Sequence, residues 1–280
     1  MPAPKEFTTK YVAVFAIAVC FVCAIFVASI AVGLKSKQEH NARVDRLSKV
    51  LSVAGLVAEG EVLTQQEVID RFEENVEARA VDLQTGSYDE SIDVATYDQR
   101  ARAKDEATSR VAPANDAKVR RLPNRALVYL VKDGDSIRRV ILPIEGYGLW
   151  STLYGFLALD RDLRTIRGIT FYEHGETPGL GGEVENPRWQ AGWEGRLAFN
   201  DEGEVALEVV KGTAGSVDAD PYSVDGLSGA TITSRGVTYL IQFWLGDDGF
   251  GPYLDSIRDE LAAADFSTPT RFAQTTQEPN

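Results

Sequence analysis

At 280 residues the chain has room for one good-sized domain plus extras. Its formal charge of −13 argues against a nucleic-acid partner, which needs clustered Lys and Arg to neutralise phosphates. The two cysteines form one C-x-x-C, which cannot by itself supply the four ligands of a closed zinc site, and with His40 and His174 the only histidines, no metal, haem or iron–sulfur site built by this chain alone is expected.

After a short flank (residues 1–10), the uncharged run Tyr11–Leu34 is long enough to cross the roughly 30 Å hydrocarbon core at about 1.5 Å per residue. Val27-Ala28-Ser29 resembles a signal-peptide processing site, but such a peptide has an apolar region of only about 7–15 residues, so a retained anchor in membrane lipid is expected. One span cannot form an ion channel by itself. Cys20 and Cys23 lie inside it as a C-x-x-C and read as small apolar filler, with redox or metal chemistry open only alongside a partner subunit. Lys5 and Lys10 precede the span, and Lys35, Lys37, Arg43, Arg46 and Lys49 follow it. The wider count puts the following domain in the cytoplasm, while the immediate flanks tie.

Residues 35–58 form a helical connector, with Val44, Leu47, Val50, Leu51 and Ala54 at helix spacing and a stop near Gly55. Residues 59–266 are expected to make one soluble domain. In it, 59–82 has helical character through Val68, Phe72 and Val76, and 84–124 is polar, irregular and draped over the surface. Leu127–Val131 and Ile137–Leu142 flank Asp133-Gly134 as a hairpin that Pro143 ends. Gly146–Trp150 is a glycine-rich loop with a large aromatic; Tyr154–Leu159 and Ile166–Phe171 follow as strands, then a hairpin of Leu197–Phe199 with Val205–Val210. Val237, Leu240, Ile241 and Trp244 mark one helix face, and Leu254, Ile257 and Leu261 a second, shorter helix. Residues 267–280 read as a disordered tail. Antiparallel strands with flanking helices make the class α+β.

Two stretches stand out as sites. Glu176-Thr177-Pro178-Gly179-Leu180-Gly181-Gly182 is a tight loop whose glycines let backbone approach a flat ring, and it lacks the spacing of a dinucleotide fingerprint. Ser228-Gly229-Ala230-Thr231-Ile232-Thr233-Ser234 is a small-residue turn feeding a helix N-terminus, where free N–H groups and the helix dipole favour an anion. Its plain structural reading is a helix cap. Trp150 either stacks on a bound ring or packs in the core; Trp189, Trp193 and Trp244 read as core. His174 is a structural histidine or a proton donor, and Lys211 a solvated lysine or a balancing charge.

Asp225-Gly226-Leu227 followed by S-G-A-T is similar to the flavinylation signature of the FMN-binding subunits of bacterial ion-pumping oxidoreductases. These are the C subunit of the sodium-translocating NADH:quinone oxidoreductase and the G subunit of the Rnf complex. The anchor, the His174–Gly181 stretch and the intervening domain occur in the family's order, and the VDGLSGATITS run favours the sodium pump's member of the pair. The resemblance implies a bacterial inner-membrane, single-pass electron carrier in a sodium-pumping complex, with its soluble domain in the periplasm. It implies one FMN in phosphoester linkage to Thr231, beside Ser228, Gly229 and Ala230, installed by a flavin transferase for which Asp225 belongs to the recognition signature. Glu176, Thr177, Gly179, Leu180 and Gly181 would line the isoalloxazine. NADH and quinone would bind partner subunits, so the enzyme is the assembly. A stand-alone membrane-anchored flavin reductase, an Rnf-type subunit and a non-redox anchored module remain alternatives.

Overall fold

The computed structural model describes residues 8–58, 60–134 and 136–267, so of the tail expected at 267–280 only Ser267, the end of a helix, is described, and the rest lies outside the described residues. The chain divides into two compact units, residues 1–46 and 47–280. Helix α1 (Thr9–Val53) carries the apolar run without interruption. Among the described residues it is the one helix long and apolar enough to cross a membrane, and that window is exposed throughout.

The second unit starts with the last turns of α1. Helix α2 (Gln65–Asn75) follows, opened by a capping box in which the Thr64 N–H donates to Glu67 Oε2 at 2.7 Å and the Glu67 N–H to Thr64 Oγ1 at 3.3 Å. The chain then turns directly into strand β1 (Val76–Asp82). The helical expectation for 59–82 therefore holds over Gln65–Asn75 only: residues 60–64 are not helical, and Val76 is buried as the first residue of a strand. Residues 84–124 are mostly irregular, with helix α3 (Gln99–Lys104) and the short pair β2 (Ser109–Val111) and β3 (Arg121–Pro123). They are more than a surface drape, since Ala117, Val119 and Leu122 enter the core.

Strands β4 (Arg125–Asp133), β5 (Ser136–Tyr147), β6 (Thr152–Asp160) and β7 (Ile166–Glu173) complete an antiparallel sheet in the order β1-β4-β5-β6-β7. The β4–β5 hairpin is where the sequence puts it, though Asp135 of its turn lies outside the described residues. Pro143 does not end β5. It lies past the last β4 pair, Tyr129↔Ile141, and pairs with Phe156 of β6 alone, so its missing N–H leaves no second ladder broken.

After β7 come a 3₁₀ turn (Gly181–Glu185), α4 (Pro187–Ala191), β8 (Glu208–Val209) and β9 (Ser223–Val224). The hairpin expected over 197–210 shrinks to one bridge, Phe199↔Val205, and β8 pairs in parallel with β9 instead. Helices α5 (Thr231–Leu245) and α6 (Gly251–Ser267) close the unit. Val237, Leu240, Ile241 and Trp244 of α5 and Leu254 and Ile257 of α6 bury against Val140, Leu142, Leu153 and Leu157 on one sheet face. On the other face Phe72 of α2 packs edge-on to Tyr129, 6.0 Å between centroids, and Arg139 donates to the Ala54 carbonyl at the end of α1. A sheet with helices on both faces, built from antiparallel strands, is the α+β class read from sequence.

Candidate functional site: the N-terminus of α5

Helix α5 starts without a side-chain cap. Its N-cap residue is Ala230, whose methyl group can accept nothing, and the Ser234 N–H to Ala230 carbonyl bond of 3.0 Å is the first of the helix. Gly229 ahead of it has φ +72°, a conformation that suits glycine, and a Cβ there would lie 3.0 Å from Leu180 Cδ2. So the plain cap reading of the serine and threonines fails at the cap position itself. Ser228, Gly229 and Thr231 are exposed at this helix start, where the first-turn N–H groups and the positive end of the helix dipole lie.

The hydroxyls in this segment divide sharply. Thr233, 1% exposed, donates to Glu176 Oε2 at 2.6 Å. Buried Ser234 accepts from the Leu227 N–H at 3.0 Å, and Thr238 accepts from the Val209 N–H at 2.8 Å. Thr231 is exposed and, among the described residues, its hydroxyl has no hydrogen-bond partner.

Glu176 is buried, and its carboxylate faces the protein. Oε1 accepts from the N–H groups of Leu149 (3.1 Å), Trp150 (2.9 Å) and Ser151 (3.2 Å), and Oε2 from Thr233. Burial pushes its pKa up, but the Thr233 hydroxyl and these backbone donors outweigh burial and hold it below the ordinary carboxylate value. His174 accepts from the Glu176 N–H through Nδ1 at 3.2 Å, and its Nε2 lies 3.2 Å from Glu185 Oε1, off the line of a hydrogen bond. It sits under the loop as a support.

The outer rim is apolar. Trp150 is 65% exposed, Ile232 52%, Leu180 44% and Leu149 39%, with Thr177, Pro178 and Gly179 exposed beside them. Trp150 is thus no core residue. Gly181 is buried, and Gly179, at φ +75°, has open space where a Cβ would stand. Trp193 and Trp244 are core, while Trp189 is half-buried and donates to the Asp225 carbonyl at 2.7 Å. The Asp225 carboxylate accepts from the Ala214 N–H at 2.7 Å, tying the lead-in loop down, and Lys211 is exposed. Sequence reading missed Thr233 and the Leu149–Ser151 amides as partners of Glu176. No local signal marks a contact between positions 57 residues apart.

An uncapped helix N-terminus, the free hydroxyl of Thr231 on its first turn and exposed apolar side chains suit a phosphate carrying a flat ring. The FMN-binding domain family model matches residues 148–246, which hold the Trp150 turn, the 176–182 loop and α5. Over 245 residues the chain is 48% identical to the C subunit of the Na(+)-translocating NADH-quinone reductase of Vibrio alginolyticus, covering 87% of this chain and 93% of that protein. Against the counterpart of the same name from Pseudomonas aeruginosa the identity is 44%, covering 91% and 98%. The crystal structure of Shewanella oneidensis NqrC superposes with a TM-score of 0.69 at 34% identity, covering 78% of this chain and 98% of that one.

Proposed function

Because the chain belongs to the C-subunit family of the Na(+)-translocating NADH-quinone reductases, we infer that it is the FMN-carrying electron-transfer subunit of such a complex, with α1 as its single membrane anchor. FMN supplies one- and two-electron chemistry when bound. The chain positions it. The observation that carries the finer reading is the division of hydroxyls: among the Ser and Thr side chains on α5 itself, Thr231 alone is exposed and uncommitted, while Ser228, also exposed and without a partner among the described residues, precedes the helix. A phosphoester there places the phosphate on the first-turn N–H groups and the helix dipole, which need no further cation. The exposed Trp150, Leu149, Leu180 and Ile232 are the side chains that would cover a flat ring held there.

Linkage to a threonine hydroxyl needs a flavin transferase that breaks the FAD pyrophosphate, releases AMP and forms the phosphoester. The exposure of Ser228, Gly229 and Thr231 leaves room for such an enzyme. A periplasmic domain agrees with a covalent bond, since little free FMN is available there to refill an emptied site. Partner subunits hold the NADH and quinone sites, and the complex rather than the chain is the enzyme.

The test is flavin fluorescence on a denaturing gel of protein from its native membrane. Fluorescence that migrates with the wild-type chain and vanishes in folded Thr231→Ala supports covalent attachment, and a dark wild-type band contradicts it. Co-purification with several polytopic subunits separates this reading from a stand-alone reductase.

A further inference from the structure

We propose that Glu176 is a positioning residue of the flavin site: as a carboxylate it fastens the Gly148–Ser151 turn and the 176–182 loop to the first turn of α5. What the latch positions rests on the flavin reading above; the latch itself is drawn from this chain's own atoms.

Four groups donate to this one carboxylate. The Leu149 N–H reaches both oxygens (3.1 and 3.2 Å), Trp150 and Ser151 reach Oε1, and the Thr233 hydroxyl reaches Oε2. Among the described residues no Lys or Arg pairs with it, so its charge is held by dipoles alone, at 5% exposure. Such bonds to a buried anion are the strong kind, and breaking them leaves several amides unsatisfied at once. The depressed pKa keeps the group ionised at neutral pH.

Two glycines make the space. A Cβ on Gly148 would stand 2.7 Å from Glu176 Oε1, and one on Gly181 would stand 2.6 Å from both Oε2 and the Thr233 hydroxyl. A further bond, from the Gly175 N–H to Ser151 Oγ at 2.5 Å, ties the same two segments together. The exposed Trp150 and Leu180 ride on those segments, with Leu180 against Gly229 just ahead of α5, so their placement follows from the latch. With every lone-pair direction engaged inside the protein, the carboxylate has none left for a ring. Glu176 therefore acts on the flavin through Trp150 and the loop, without touching it.

Amide hydrogen exchange on the full-length chain carrying Thr231→Ala tests the latch without attached flavin. Adding Glu176→Ala should speed exchange at Leu149, Trp150 and Ser151 by on the order of tenfold or more, with β5 and β6 amides unchanged. Thr233→Val removes one donor at nearly constant shape and should speed the same amides by about threefold; it decides the matter if Glu176→Ala does not fold. In the flavin-loaded Glu176→Gln chain the flavin should stay attached while its absorption spectrum and midpoint potential move toward those of free FMN. Unchanged exchange at 149–151 in the folded variants overturns the latch. Flavin that survives denaturation in Thr231→Ala overturns the attachment reading instead, and the exchange rates still judge the latch.

Discussion

Glu145 and Glu176 are carboxylates of one domain with opposite electrostatics. Glu176 sits among donors and is held low. Glu145 on β5, opposite Tyr154 of β6, has no hydrogen bond to its carboxylate among the described residues. Burial raises its pKa to about 6, against weaker lowering by Arg100 and Lys104. The folded chain therefore holds a proton between the ordinary 4.5 and about 6 that the unfolded chain has released, and stability falls as pH rises through that window. The rise corresponds to roughly 2 kcal/mol. Glu145→Gln should gain up to about that much at pH 7.5 and little at pH 4.5, read from urea melts at both. An equal effect at both pH values contradicts the buried-charge account. Glu176 carries the reverse sign: its contribution is present above the ordinary carboxylate value and is lost as pH falls through its lowered one.

Helix α5 meets the end of β5 backbone to backbone at Gly236. A Cβ on Gly236 would stand 2.5 Å from the Tyr147 carbonyl and 3.1 Å from Gly148 Cα, and one on Gly146 would stand 2.5 Å from Leu240 Cβ. This close approach brings the α5 N-terminus to the Trp150 turn. Inside a helix Gly→Ala normally gains about 1 kcal/mol, but here a carbonyl must move, so Gly236→Ala should destabilise by roughly 1–3 kcal/mol. A denaturation midpoint unchanged or raised in that variant contradicts the contact. Elements whose signals are local were legible in the sequence: the Asp-Gly hairpin, the apolar face of α5, the glycine loop, the S-G-A-T turn. The misread ones have a physical reason. Val68, Phe72 and Val76 are spaced by four, which fits both a helix and an alternating strand, so the switch at Val76 was invisible. The β8–β9 pair joins two-residue segments from distant stretches, and the Glu176–Thr233 bond spans 57 residues; neither leaves a local pattern.

At the scale of the molecule, the end of α1 belongs to the soluble unit. Val50 is 1% exposed, Leu51 0% and Ala54 2%, so these turns are part of its core. A chain begun at Lys35 should stay in solution without detergent and melt cooperatively. One begun at Gly55 loses buried aliphatic side chains worth roughly 1.5–3 kcal/mol for each large one and should aggregate or melt without cooperativity. Equal melts for the two would remove α1 from the core. The orientation of the unit is a separate matter, since Lys5 and Lys10 balance Lys35 and Lys37. A periplasm-only reporter fused after Gln277 should be active; an active cytoplasmic reporter at that site makes the wider Lys and Arg count the better guide.

One hydroxyl, chosen by its position on α5, is held to carry the flavin. Peptide mass spectrometry of the protein from its native membrane tests this most directly, because it reports both the added group and the residue. The expected result is the mass of FMN, joined with loss of water, on the peptide spanning Ser228–Arg235, with fragment ions that place it on Thr231. An unmodified peptide, or fragments that place the group on Ser228, Thr233 or Ser234, would contradict it.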